Sequence, residues 1–469
     1  MSYFNINSEF NQNTAYSIIR DAIFKKEKNY VCSVESNNLT VVNKKYNYRI
    51  GLIKTFLFLS FAFFFPISQK ISTINIGLLL IVTIISFKFS SFYFKTGLVL
   101  PICLYVLYCI SLLYSSEMQL GIIEQKASLL VFPIIFMLNK SYKNHFNLIL
   151  KYFVLGCISA LIICEINAFY SSMDFSNFIF DSRIDKSMTF YDSLVYDQNF
   201  FFSYNFSFIH QAVYFSMYFL LAIAILFYYK IFKSSIIQNA FLIFLFFGIF
   251  QVLNKASFII LFPILMIKVY TVIKNKRNAR IYILLFFIFS VPIFILNPRF
   301  KNFQQKRFII NQSDLKVKDF KKIRNIKSND YNFRVMLWAS ALDLIKENPL
   351  IGIGAGGSHN RLYEVFAVKR QWYDKTEKYH AHNQYLQILL DLGIIGFSVF
   401  IFLLISFLCK VFKYNNENLK LIAINFALII IINFLFESMF ERYSGISFFV
   451  FFYCLFISDY STEERLQGT

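Results

Sequence analysis

Twelve apolar runs limit what this chain can become. They lie at about 50–67, 71–87, 97–114, 122–138, 146–169, 208–229, 236–253, 256–273, 280–296, 386–409, 419–436 and 443–460. Each approaches the ~20 residues that an α-helix needs to cross a bilayer. A hydrocarbon layer offers no water to backbone amides, so such runs must satisfy their hydrogen bonds internally, as helices. The chain is 57% hydrophobic, with mean hydropathy +0.52, which excludes an ordinary soluble domain. The pattern predicts an all-α integral membrane protein of about 12 transmembrane helices. The fourth run is the weakest, because Glu124 and Lys126 stand at its start.

Charge placement orients these helices. With the N-terminus inside, the loops expected on that side carry Lys88, Lys95, Lys140, Lys143, Lys151, Lys230, Lys233, Lys268, Lys274, Lys276, Arg277, Arg280, Lys410, Lys413 and Lys420, against one acid, Glu417. The loop 170–207 has Arg183 and Lys186 against Asp174, Asp181, Asp185, Asp192 and Asp197, which places it outside. The net charge of +20 is therefore read as topology, and nucleic acid is not an expected partner. The expected layout is a cytoplasmic extension 1–49, helices 1–9 over 50–296, an extracytoplasmic helical region 297–385 between helices 9 and 10, helices 10–12 over 386–460 and a cytoplasmic tail 461–469. The extension has room for one short amphipathic helix near 15–27, and no cleavable signal peptide is visible. Six of seven cysteines fall inside apolar runs, where they act as small hydrophobes rather than as a disulfide or metal framework.

The region 297–385 is too long for a structureless connection. Its first part, 299–327, is strongly basic and suits either head groups or an anionic substrate. From Tyr331 to Lys346, Val335, Trp338, Leu342 and Ile345 recur at helical spacing, with Asn329 or Asp330 able to cap the start and Asn348-Pro349 to stop it. Arg334 stands one turn before Trp338. Gly352, Gly354, Gly356 and Gly357 then precede Ser358, a suitable cap for a helix to about Arg370; no strand or Lys-Ser/Thr makes this a nucleotide loop.

Residues 380–398 join that region to the tenth run, so His382 and Asn383 fall at a membrane–water boundary. Nine residues further on come Gly393 and Gly396, expected to let another helix pack closely. This His-Asn-x9-Gly-x-x-Gly pattern, with Arg-x-x-x-Trp and the following Glu-Asn-Pro-Leu-Ile-Gly-Ile-Gly, resembles the O-antigen ligase and polymerase family over roughly 200–450. The resemblance implies an all-helical membrane glycosyltransferase, with Arg334 engaging the diphosphate of a polyprenyl carrier. Lys255 stands where the family commonly has arginine; it keeps the charge and loses the bidentate fork. His210 occupies a His-Pro-x-Tyr-like stretch in which Gln211 replaces proline, and reads better as a boundary residue than as a catalyst. Asp391 and Glu437 are acids at membrane depth, costly unless paired; Glu437 could pair with Arg442.

The expected chemistry is inverting and metal-independent. His382 would remove the proton of the acceptor hydroxyl, Arg334 and Lys255 would hold the leaving diphosphate, and Trp338, Asn383, His210 and Glu437 could touch substrate. No cofactor is expected. No external Asp-x-Asp pair is present, and His380 with His382 alone make a weak metal site. The resemblance implies an undecaprenyl-diphosphate-linked glycan as donor and lipid A-core or another glycan as acceptor. It also implies a multi-pass place among the lipids of the bacterial inner membrane, with the active site facing the periplasm and a role in lipopolysaccharide assembly. A polysaccharide polymerase or a protein O-oligosaccharyltransferase of the same family is the alternative. A lipid-linked glycan transporter is the non-enzyme alternative, disfavoured by the lack of paired Gly/Pro-broken segments.

Overall fold

The computed structural model describes residues 38–87, 94–139, 142, 145–273, 330–370 and 379–458. Two units divide the chain, Met1–Ile53 and Lys54–Thr469. Of the first, only the opening of α1 (Asn38–Phe64) is described. The second continues with α2 (Gln69–Ile85), α3 (Thr96–Tyr114), α4 (Gly121–Lys126), α5 (Ser128–Leu138) and α6 (Phe146–Ser172). A two-stranded antiparallel hairpin, Met173–Asp174 with Ile179–Phe180, and the short α7 (Phe190–Val195) and α8 (Ser203–Phe206) form the loop that follows. Then come α9 (Ala212–Tyr228), α10 (Ser235–Val252), α11 (Lys255–Ile273), α12 (Asp330–Glu347), α13 (Ser358–Arg370), α14 (Gln384–Phe412) and α15 (Glu417–Phe436). A 3₁₀ turn (Met439–Glu441) leads into α16 (Tyr443–Ile457). The expected run 280–296, the basic stretch 299–327, the helix near 15–27 and the tail 461–469 lie outside the described residues.

Six of these helices, α3, α6, α10, α11, α14 and α15, are long and apolar enough to cross a membrane, and α2, α5, α9 and α16 are shorter apolar companions. The chain is an all-α, multi-pass membrane protein. Its starts follow local chemistry: Ser68, Ser234, Asn383 and Asn416 each accept a backbone N–H of the first turn of α2, α10, α14 and α15. Apolar character on every side sends α9 and α16 to the middle. From Tyr214 to Ile225, and from Ser444 to Ile457, every residue is buried. By contrast α2 turns Ile74, Leu78, Ile81 and Ile85 outward, and α10 turns Ile236, Ile243 and Phe247 outward, as lipid-facing helices do. Lipid tails are as apolar as the core, so cohesion there comes from close packing. Ring pairs such as Phe61–Phe451 (4.6 Å) and Phe153–Phe452 (4.8 Å) supply it. Each such pair contributes about 0.5–1.5 kcal/mol.

The fourth run is broken at Ala127 into α4 and α5, with the Lys126 side chain drawn inside. The tenth run is also broken, which corrects the packing role expected of Gly393. Gly393 sits at φ 61°, ψ −161°, a conformation essentially reserved for glycine, in the middle of α14. The segment 349–354 fills the break as a strap. Ile353 and Gly354 N–H donate to the Leu390 and Asp391 carbonyls (2.9 and 3.2 Å), while Ile394 and Ile395 N–H donate to Pro349 and Leu350 (2.8 and 3.2 Å). A Cβ on Gly352 would lie 2.6 Å from the Leu390 oxygen, so only glycine permits this approach. On its other side the strap rests on the end of α3: Ala355 N–H donates to Ser111 Oγ (3.3 Å) and Gly357 N–H to Ser115 Oγ (2.7 Å). Irregular backbone at helix depth is tolerated because protein on both sides satisfies it.

A second, smaller core joins α12 and α13 to the start of α14 through Leu337, Ala341, Leu344, Leu362, Phe366, Ala381 and Leu390. The buried stripe of α12 is thus Leu337–Ala341–Leu344; Val335 and Leu342 of the expected stripe are exposed instead.

Candidate functional site

The loop before α14 is fixed atom by atom around Ala381. Its N–H donates to Gln387 Oε1 (2.8 Å), and its carbonyl accepts the indole N–H of Trp338 (2.9 Å). Asn383 caps α14 through Leu386 N–H (3.1 Å) and donates its own N–H to Ser438 Oγ (3.2 Å). Held from both sides, His382 takes a left-handed backbone, φ 45°, which histidine adopts more readily than most residues. Strain of this kind persists only where the surroundings enforce it, and it concentrates at functional sites.

Two imidazoles and one carboxylate meet here. His382 Nδ1 lies 3.4 Å from Glu437 Oε2, and His380 Nε2 lies 3.7 Å from Glu437 Oε1. The two rings are 4.1 Å apart between centroids. Glu437 is the residue just after α15, buried and held by the histidines rather than by Arg442. Burial by itself would raise its pKa, but His382, then His380 and Arg334, outweigh that and keep it below the usual carboxylate range. Burial, followed by the neighbouring His382, pushes the His380 pKa down to about 4, so this imidazole is neutral. The side chain of His382 is 27% exposed and reachable.

Donor atoms of His380, His382 and Glu437 lie within 4.8 Å of one another, a set that could hold a metal ion. The hydrogen bonds argue for a different use. His382 N–H donates to His380 Nδ1 (3.3 Å), which leaves the His380 proton on Nε2, directed at Glu437. A metal would need that lone pair.

Behind the turn Glu437–Glu441 lies a second polar centre that the sequence reading missed. Lys126, 1% exposed, donates to Glu441 Oε1 (2.6 Å) and to the Phe440 carbonyl (2.7 Å). His359, from the start of α13, stands 3.2 Å from Glu441 Oε2. Burial would raise the Glu441 pKa, but Lys126 and His359 pull it well below the usual range. His359 is the reverse case: burial lowers its pKa, the Glu441 carboxylate raises it, and the second effect wins. Asp391 accepts from Gln387 Nε2 (2.9 Å) beside the helix break. The available signal was Lys126 itself, a cation inside an apolar run.

The structure thus gathers His382, Asn383, Trp338 and Glu437, with Arg334 close enough for its charge to act on Glu437. Lys255 opens α11 after a left-handed corner at Leu253, half-buried. His210 lies apart from this group in its contacts: its Nδ1 is 3.1 Å from Ser444 Oγ and 3.3 Å from Gln69 Nε2, at 3% exposure.

Residues 240–401 match the O-antigen ligase family. The matched segment of that family holds Lys255, Arg334, Trp338, His382 and Asn383 and stops short of Glu437 and Glu441. A Rickettsia conorii protein, provisionally named a polysaccharide ligase, is 32% identical over 96 residues. That alignment covers 19% of this chain and 22% of the relative.

Proposed function

We propose that this protein is a ligase-type glycosyltransferase, moving a glycan from a polyprenyl (undecaprenyl) diphosphate to an acceptor hydroxyl. The observation that carries the reading is His382 Nδ1 facing the buried Glu437 carboxylate at 3.4 Å. A proton on Nδ1 directed at Glu437 leaves the Nε2 lone pair free, the form a general base needs. His382 Nε2 takes the proton of the acceptor hydroxyl as that oxygen attacks the anomeric carbon. The bond from that carbon to the diphosphate oxygen breaks, and its electron pair leaves with the phosphate. Attack opposite the leaving group inverts the anomeric centre. Arg334 and Lys255 supply fixed positive charge where negative charge develops. Diphosphate is a good leaving group, so the reaction runs without a metal. The matched family and the name of the Rickettsia relative support a glycan as the group transferred. We place the protein in the bacterial inner membrane with the site on the periplasmic side, and lipid A-core as the acceptor.

The test is glycan transfer from a defined lipid diphosphate donor, with donor affinity measured in parallel. His382→Ala is expected to reduce turnover by roughly 10²–10⁴-fold while donor binding stays nearly intact. Arg334→Ala is expected to weaken both, since it touches ground and transition states alike. Normal transfer by His382→Ala at unchanged protein level would reduce this histidine to a helix-boundary residue. A product lengthened on the carrier, with a second carrier-linked glycan consumed as the acceptor, would identify a polymerase instead.

A further inference from the structure

The turn that carries Glu437 is clamped from two sides. On one side Gln384 Oε1 accepts Phe440 N–H (2.7 Å) and Ser438 Oγ accepts Asn383 N–H (3.2 Å), tying the turn to the start of α14. From the other side α4 grips it: Lys126 Nζ donates to the Phe440 carbonyl (2.7 Å) and Glu441 Oε1 (2.6 Å), and Gln125 Nε2 donates to the Glu441 carbonyl (2.5 Å). Glu437 and Glu441 therefore mark the two ends of one short turn, the first against His382 and His380, the second against Lys126 and His359. We propose that Lys126 is a positioning residue for glycan transfer: by holding the Phe440 carbonyl and Glu441 it keeps the Glu437 carboxylate against His382.

Three features make this more than a packing contact. Lys126 reaches the turn with both a main-chain and a side-chain hydrogen bond, so losing it releases position as well as charge. Its charge is removed from water, and a buried cation is costly unless its partners are fixed. Between Glu441 and Glu437 lie only three residues, Ser438 and the first two of the 3₁₀ turn Met439–Glu441, so freedom at one end reaches the other directly. A shift of about 1 Å in an orienting group can cost on the order of 10² in rate.

The proposal rests on the transferase reading for its rate measurement and on chemistry alone for its second. In the full chain reconstituted in nanodiscs, Lys126→Met is expected to lower kcat by roughly 10²-fold, with donor KM within about twofold of wild type. Lys126→Arg, which preserves the charge and the donors, is expected to recover most of the rate. Lys126→Met also leaves Glu441 without its main partner, so unfolding must be separated from misplacement. The double variant Lys126→Met with Glu441→Gln removes both buried charges and is expected to regain thermal stability but not rate. A double variant of restored stability that transfers at the wild-type rate overturns the proposal. Independently of activity, diethyl pyrocarbonate followed by mass spectrometry reads the His382 environment. Modification of His382 is expected to change several-fold in Lys126→Met and to return in Lys126→Arg; an unchanged His382 in Lys126→Met overturns the positioning link. If Lys126→Met shows this His382 response while the wild-type protein transfers no glycan, the transferase reading alone is overturned.

Discussion

Burial holds His210 neutral, pushing its pKa from 6.5 down to about 4. The unfolded chain binds a proton there at pH values where the folded chain does not. The resulting stabilisation is complete above about pH 6.5 and is lost as pH falls toward 4. The melting temperature in detergent should drop from pH 7.5 to 5, and His210→Gln should flatten that drop; an identical pH slope in the variant would refute the assignment. His380, also held near 4, adds to the same window, whereas His359, raised by Glu441, contributes below pH 6.5 and loses its share as pH rises. At Lys255 an arginine restores the fork that suits phosphate oxygens, so Lys255→Arg should keep transfer and Lys255→Ala should lose it. Transfer should also persist in a chelator, because Arg334 and Lys255 stabilise the leaving diphosphate; loss restored by magnesium or manganese would overturn that assignment. What the sequence makes readable at this scale is the part close together in the chain. His382, Asn383, Trp338 and Arg334 stand out through the motifs that resemble the ligase family, and Glu437 by its cost at membrane depth. Lys126, His359 and Glu441 are joined by bonds across more than 80 residues of chain at the least, which no local pattern encodes.

Among the elements, the helix starts are legible to within a few residues because apolar runs are local. The break in α14 was not, since a glycine in an apolar run fits equally a close helix contact and a positive φ. The two are separable by substitution. Gly393→Ala would force a side chain into a backbone conformation essentially reserved for glycine, costing about 1–3 kcal/mol, and its Cβ would overlap the Leu350 carbonyl. Marked loss of thermal stability is expected, together with loss of the Trp338–Ala381 geometry nearby. Gly77→Ala in α2 has open space around it and is the matched control, expected to be neutral. Equal stability of the two variants would show that the strap does not hold the break. The stripe of α12 failed for a related reason: Val335 and Leu342 have the right spacing, but Leu337, Ala341 and Leu344 have it too, and tertiary contact decides between them.

For the molecule as a whole, the twelve runs and their charge asymmetry supply a topology that fusion reporters can check. Fusions after residues 180 and 340 should report an extracytoplasmic position, and those after 235 and 415 a cytoplasmic one. A cytoplasmic result at 340 would remove the outward-facing site from the proposed function. The strap has a consequence in time as well. Its outer edge rests on Ser111 and Ser115, made before it, and its inner edge on Leu390 to Ile395, made after it. A helix interrupted at Gly393 cannot settle in lipid with its amides bare, so α14 must meet the strap as it enters the bundle. The strap is therefore a clasp that closes only once α14 is made, and the site, which also needs Glu437, comes into register later still.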